Sequence, residues 1–284
     1  MTPPTRRRSP CFEFVQYGGF ALFRLAGAAQ ENSYRLVHHD QLPSTNDEAL
    51  ACARSGDSGR LWVVASTQTK GRGRHGRVWS SPLGNLHASL LLIDPAPRHK
   101  VAELGFAVGV AALHAVHGIL DKDRSLAIKW PNDLLYAGAK LAGILLESAT
   151  LPDGRLACVA GIGVNCCWHP ADTPYKATSL AVIAGSPVSP ETVFEHLSAA
   201  MVHWLKIWAG GDGFEAIRAE WLSLAAGLGT WISVARSSQS IEGVFQTIDA
   251  TGRLIIENKS GTVAIEAGDV FFGPSGSPTS VAGV

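Results

Sequence analysis

Read for its apolar and polar positions, the chain moves between two periods. Dense apolar runs rich in β-branched residues predict strands at Tyr34–Val37, Trp62–Thr67, Asn85–Ile93, Leu126–Trp130 and Leu156–Val164. Leu134–Tyr136 and Lys140–Glu147 read as a hairpin about the glycine-containing turn Ala137-Gly138-Ala139. Helical spacing takes over in Lys100–Leu120, where Leu104, Val108, Ala111, Ala115 and Ile119 share one face. Ser44-Thr45-Asn46-Asp47-Glu48 has the cap-then-acid order of a helix start and predicts a helix to about Ser55. Ser189-Pro190-Glu191 sets cap, N1 proline and first-turn acid ahead of a stripe of Val193, Leu197, Ala200, Trp204 and Trp208. A shorter helix follows at Phe214–Leu222. Past the small residues Ala225–Gly229 the runs shorten to strands at Thr230–Ala235, Ile241–Ile248, Arg253–Glu257, Thr262–Glu266 and Val270–Phe272, with turns at Asp249–Gly252 and Asn258–Gly261. The pattern predicts an α+β chain, with a larger domain over residues 34–224, a small β-barrel over 230–273 and a loose tail over 274–284.

Composition narrows this picture without redrawing it. A chain of 284 residues with 46% hydrophobic and 17% charged content can bury one large core and a small one. The formal net charge of zero argues against wholesale attraction to nucleic acid. The five cysteines include no C-x-x-C pair, which indicates reduced thiols rather than a disulfide framework or a zinc site. Residues 1–33 begin with Arg6-Arg7-Arg8 and an apolar run from Phe20 to Ala29, superficially like a signal peptide. Arg24 interrupts that run, so the expectation is a loosely ordered extension. No uncharged apolar run of membrane-spanning length stands out.

The densest chemistry lies in Gly71-Arg72-Gly73-Arg74-His75-Gly76-Arg77-Val78-Trp79. Glycines let the backbone reach positive φ and approach a ligand. Arginine forks match carboxylate or phosphate oxygens two at a time, so the stretch reads as an anion trap on a mobile loop. Gly-Arg repeats also occur in disordered nucleic-acid-binding segments, but here a single copy sits between strand-like runs, which favours a loop inside a folded domain. The spacing is not that of a P-loop. Gly105 and Gly109 fall mid-helix and read as close-packing positions rather than a phosphate site.

Four ordered motifs then carry a resemblance. Gln68-Thr69-Lys70 through Trp79, Ser44-Thr45-Asn46, Lys129-Trp130-Pro131-Asn132-Asp133-Leu134 with Lys140 to Glu147, and Gly161-Ile162-Gly163-Val164-Asn165 resemble the biotin protein ligases, from about Tyr34 to Phe272. The resemblance implies a mixed-sheet catalytic domain of the biotin/lipoate ligase type plus an SH3-like C-terminal β-barrel. It also implies ATP-dependent attachment of biotin to a lysine of a biotin carboxyl carrier protein, through biotinyl-5′-AMP, in the cytoplasm. On the same ground Ser44, Thr45, Asn46, Gln68, Gly71, Arg72, Gly73, Arg74, Lys140 and Gly143 are expected on biotin. Arg74, Arg77, Trp79, Lys129, Asn132 and Asn165 are expected on ATP, and Asp133 on Mg²⁺. Arg72, Arg74 and Lys140 are the expected catalytic cations.

Each of these also has a plainer reading: a helix cap for Ser44 or Thr45, a surface lysine for Lys140, a turn residue for Asn165. His75 stands where relatives often carry arginine and is given no catalytic role. The competing functions are a lipoate or octanoate transferase on the same fold, a biotin-responsive DNA-binding regulator and a non-catalytic biotin-binding module. The first 33 residues are too short for a winged helix-turn-helix, so neither DNA nor a membrane is an expected partner; a homodimer stays open.

Overall fold

The computed structural model describes residues 22–120, 125–235 and 240–273. Seven strands form one sheet: β1 (Arg35–Leu42), β2 (Leu61–Gln68), β3 (Leu86–Ile93), β4 (Leu126–Lys129), β5 (Asp133–Tyr136), β6 (Ala139–Thr150) and β7 (Leu156–Val164). Their order is β1-β2-β3-β7-β6-β5-β4, with β1 and β2 parallel and every other neighbour antiparallel. This is the mixed sheet expected.

Helices α3 (Leu104–His117), α5 (Pro190–Trp208) and α6 (Phe214–Ser223) cover one face of the sheet, burying Trp62, Leu90, Ile128 and Phe194 in the main core. By length and composition residues 98–117 would pass for a membrane span, but their apolar side chains fill this core. Among the described residues the one helix on the opposite face is α2 (Thr45–Arg54), over a small second core of Val63, Leu91 and Val159. Beyond α2 that face is bare, and the bare part becomes the floor of the cleft described below.

Most elements begin and end within a residue or two of expectation, and the exceptions have physical causes. β1 runs on through His38, His39, Asp40 and Gln41, because an edge strand needs backbone pairing on one side only and can stay polar. The β5–β6 turn has two residues rather than three, since Ala137 itself adopts φ 46° beside Gly138 at φ 78°. Residues 98–103 form a 3-10 turn before α3 rather than its first turn. The five-residue α4 (Leu180–Ala184) is too short to leave a periodic signal.

Two larger expectations are corrected. Within the supposed loose extension, residues 22–33 are packed: α1 (Gly27–Glu31) lies against α5, Ala29 is fully buried and the Ala26 amide donates to Ser198 Oγ at 2.9 Å. Phe23 meets Phe194 edge-on at 5.8 Å, so Phe23 and Leu25 of the apolar run pack onto the core. Residues 1–21, with the basic cluster, and the tail over 274–284 lie outside the described residues. The C-terminal unit consists of β8 (Trp231–Ala235), β9 (Ser240–Ile248), β10 (Leu254–Asn258), β11 (Gly261–Ile265) and β12 (Asp269–Phe272). Its order β11-β10-β9-β8-β12 leaves β11 and β12 as unpaired edges among the described residues, so this SH3-like unit is an open antiparallel sheet rather than a closed barrel. Its β9–β10 turn docks on the main domain, where Trp130 Nε1 donates to the Gly252 carbonyl at 3.3 Å.

Truncating Phe23 to alanine should lower unfolding stability by about 1–3 kcal/mol, less than a fully buried phenylalanine because the ring is partly exposed. Urea denaturation measures this, and an unchanged midpoint would remove residues 22–33 from the core.

Candidate functional site

The bare sheet face is lined by a row of residues in cross-strand register: Lys129 opposite Asp133, Asp133 opposite Gly143, Gly143 opposite Gly163, and Gly163 opposite His87. Directly paired residues point to the same side of a sheet, so a cation, an acid and an imidazole border a strip of bare backbone. The glycines are needed there. A methyl group on Gly163 would come within 2.5 Å of Trp79 Nε1, and one on Gly143 within 3.2 Å of the same indole. Gly161 likewise leaves room for the Asn46 side chain.

Lys140 reaches this strip because of a register shift. Leu134 pairs with Ala142 but Leu135 pairs with Lys140, so Leu141 is an extra residue in β6. A bulge of this kind re-aims the side chains beyond it. Without it, alternation from Gly143 would turn Lys140 to the helical side. With it, Lys140 Nζ lies 2.6 Å from Asp133 Oδ1 and 5.6 Å and 5.4 Å from the rings of Trp79 and Tyr175. Lys129 Nζ takes the other Asp133 oxygen at 3.2 Å.

The glycine–arginine stretch is a short hairpin over the strip. Arg72 bridges to Val78, Gly73 N–H donates to the Arg77 carbonyl at 2.7 Å, and His75 turns the tip at φ 56°, exposed. Its base is tied down: Arg72 donates to both Asp47 oxygens at 2.8 and 2.7 Å and to Glu147 Oε2 at 2.8 Å. The tip leans on the C-terminal sheet, with Arg77 on Asp269 and Arg74 Nη1 donating to the Gly268 carbonyl at 3.2 Å. Behind the hairpin runs a buried polar web. Thr45 N–H donates to Gln68 Oε1 at 2.8 Å, Ser89 Oγ lies within 2.7 Å of Thr45 Oγ1 and 2.6 Å of Asn46 Oδ1, and Asn46 Nδ2 donates to Glu147 Oε2 at 2.7 Å.

Together these surfaces enclose a cleft of about 1440 Å³, large enough for two small ligands side by side. Of the residues expected at the site, Ser44, Thr45, Asn46, Gln68, Arg72, Gly73, Arg74, Arg77, Trp79, Lys129, Asn132, Asp133, Lys140 and Gly143 line it. Two expected residues are placed elsewhere. Gly71 lies outside the wall, its Cα packed so that a methyl group would meet Ser81 Oγ and the Trp79 carbonyl at 2.5 Å. Asn165 is buried behind the wall, donating from Nδ2 to the Thr178 carbonyl at 3.0 Å; it pins the segment that carries Tyr175 and Lys176 alongside Lys140. Arg72 lines the cleft, but its fork is occupied by protein carboxylates.

Residues that the motifs do not point to include Tyr175, Asp47, Glu147, Asp269 and His87. Glu147 stands at the end of one motif and Asp47 in the first turn of a predicted helix, so both are visible in the chain without a role. His87 is 1% exposed; burial lowers its imidazole to about 4, so it is neutral at neutral pH. Its Nε2 faces the Pro82 carbonyl at 3.3 Å, and Nδ1 has no protein partner. The Trp79 Nε1 over the same strip is also unpartnered.

The hydrogen bonds from Arg72 hold the Asp47 carboxyl below the usual range. A depressed carboxylate contributes stability above its unfolded value, about 4, and loses it as pH falls through the folded one. Arg72→Ala should therefore cost about 1–2 kcal/mol near pH 7, allowing for solvent screening at Asp47, and progressively less as pH falls below about 4. A cost that stays constant across that window in acid titrations of both proteins would contradict the pairing.

Comparisons with known proteins bear on this geometry. Residues 40–165 match the model of the biotin/lipoate A/B protein ligase family, and residues 228–273 match the biotin protein ligase C-terminal domain. A biotin–[acetyl-CoA-carboxylase] ligase of Paracoccus denitrificans is 39% identical over 81% of this chain and 97% of its own. The bifunctional ligase/repressor of Bacillus subtilis is 31% identical over 92% of this chain and 84% of its own. Among solved structures, a biotin protein ligase from Aquifex aeolicus in complex with biotin and ATP superposes with a TM-score of 0.73 at 26% identity, covering 85% of this chain and 99% of that one. With two motif-bearing domains in the same order and a relative matched over nearly its whole length, the chain belongs to the biotin protein ligase family.

Proposed function

We propose that this cleft joins biotin to ATP and then hands the biotinyl group to a lysine of a biotin carboxyl carrier protein. The observation that carries the reading is Lys140, which the β6 bulge turns over a glycine floor between Asp133 and two aromatic rings. Biotin binding alone would not require so many cations around one buried acid.

In the first step a carboxylate oxygen of biotin bonds to the α-phosphorus of ATP and the bond to the β-phosphate bridge breaks, releasing pyrophosphate. Two anions must approach, so positive charge has to be fixed beforehand where negative charge accumulates. Lys140, Lys129, Arg74 and Arg77 line the same wall and supply it. The polar groups of Ser44, Thr45, Asn46 and Gln68 face the other end and suit the ureido ring. Trp79 offers a flat face to a base. In the second step the carrier amine attacks the acyl carbon, the bond to AMP breaks and the nitrogen loses a proton. Until then the mixed anhydride needs shelter from water, which the Arg72-anchored hairpin and Tyr175, both on the cleft wall beside Lys140, give. Arg72 acts here as the tether of the lid rather than as a cation on the substrate.

Asp133 is a hard oxygen donor of the kind that holds Mg²⁺ together with substrate phosphates. Both its oxygens are engaged by lysines, so it fits the ion once a lysine has moved onto phosphate. Bound there, Mg²⁺ would neutralise charge between phosphate groups. The thiols Cys52 and Cys158 and the need for ATP support a cytoplasmic setting.

The direct test incubates the protein with biotin, MgATP and a carrier domain and weighs the carrier. One added biotinyl group is expected, and none from lipoate; modification by lipoate alone would move the chain to the lipoate branch. Lys140→Ala should slow pyrophosphate formation about 10²–10³-fold, and wild-type rates from that variant would remove the lysine from the chemistry.

A further inference from the structure

Of the carboxylates that neutralise the cleft cations, Asp269 alone belongs to the C-terminal sheet. It is the first residue of edge strand β12, whose next residues, Val270, Phe271 and Phe272, continue along the cleft wall. Its Oδ2 accepts from Arg77 Nη2 and its Oδ1 lies 3.7 Å from Arg74 Nη1. Arg74 is tied further by the Gly268 carbonyl.

This contact differs in kind from the one at the hairpin base. Arg72 is shared by two carboxylates and is only 27% exposed, whereas Arg77 is 59% exposed and has one acid. A solvent-exposed ion pair is worth little, about 0–1 kcal/mol. A polyphosphate presents the same oxygen geometry to an arginine fork with several times the charge. The tip arginines can therefore change partners while Arg72 stays where it is.

We propose that Asp269 is a positioning residue that stands in for phosphate in the ligand-free enzyme. It holds Arg77 and Arg74 over the cleft, yields them to the triphosphate of ATP, and takes Arg77 back as pyrophosphate departs. The exchange gives the C-terminal sheet a share in the first step without touching the reacting atoms, and it draws the hairpin tip down again over the adenylate. The idea rests on the adenylation reading above, and its test needs no turnover.

Calorimetric titration of the full chain with inorganic pyrophosphate is the measurement. Asp269→Asn removes the competing charge and should bind pyrophosphate about two- to fivefold more tightly than wild type. The gain should vanish in the Arg77→Ala background. In the ligand-free protein the same variant should lose its hold on the hairpin, so trypsin should cut after Arg74 and Arg77 several-fold faster. Asp269→Ser serves as a second removal of the charge and should repeat both results. Unchanged or weaker pyrophosphate binding, a gain that survives in Arg77→Ala, or unchanged hairpin cleavage would each overturn the proposal. Failure of the wild type to biotinylate a carrier would instead strike the adenylation reading and leave these measurements standing.

Discussion

The guanidinium of Arg72 lies between the carboxylates of Asp47 and Glu147, and the shape of the cleft depends on that arrangement. One residue joins the base of the hairpin to the first turn of α2 and to β6, three segments otherwise far apart in the chain. One of the carboxylates it satisfies, Glu147, is itself built into the polar web of Asn46, Ser89, Thr45 and Gln68. A partly buried network of this type is stable only when every member is satisfied. Removing Arg72 would leave two like charges side by side, so the lid and the pocket wall behind it are coupled through one charge.

The same logic extends across the site. A cleft that must bind anions collects cations, and cations collected without anions repel one another. This protein brings an acid to each group: Asp47 and Glu147 to Arg72, Asp133 to Lys129 and Lys140, Asp269 to Arg77 and Arg74. Ligand binding is then an exchange of partners rather than the filling of a positive void, which lowers its net electrostatic gain and raises its selectivity for ligands that can satisfy several cations at once.

How much of this could be read from the chain follows from the range of each signal. Local rules worked where the cause is local. The Ser189 cap and the Ser44 cap, whose hydroxyls accept from the amides three residues on, mark helix starts as expected. Glycine-marked turns delimit the C-terminal strands. The motifs found the cleft wall because they concentrate its chemistry in a few short stretches. What escaped depends on position in three dimensions. Nothing near Leu141 announces a bulge, and strict alternation would have sent Lys140 to the wrong side of the sheet. Asn165 is expected on ATP from the resemblance alone, whereas the turn that follows folds back and buries it against the Thr178 carbonyl. Asp269 and Arg77 are separated by 192 positions, and an aspartate at a strand start carries no local sign of its partner.

The distribution of strength among these contacts also explains why the lid needs a second domain. The base of the hairpin is fixed by a network, but its tip has His75 at positive φ, an exposed glycine and two arginines whose ion pairs, among the described residues, both run to Asp269. A tip held by nothing would lie away from the cleft most of the time, and each closure would then cost the entropy of ordering several glycine-flexible residues. Edge strand β12 supplies a weak, replaceable hold from outside the sheet domain, and the Gly252 turn docks the sheet that carries it on Trp130. Firm anchorage at the tip would block phosphate and none would expose the adenylate. A single shared carboxylate lies between those limits.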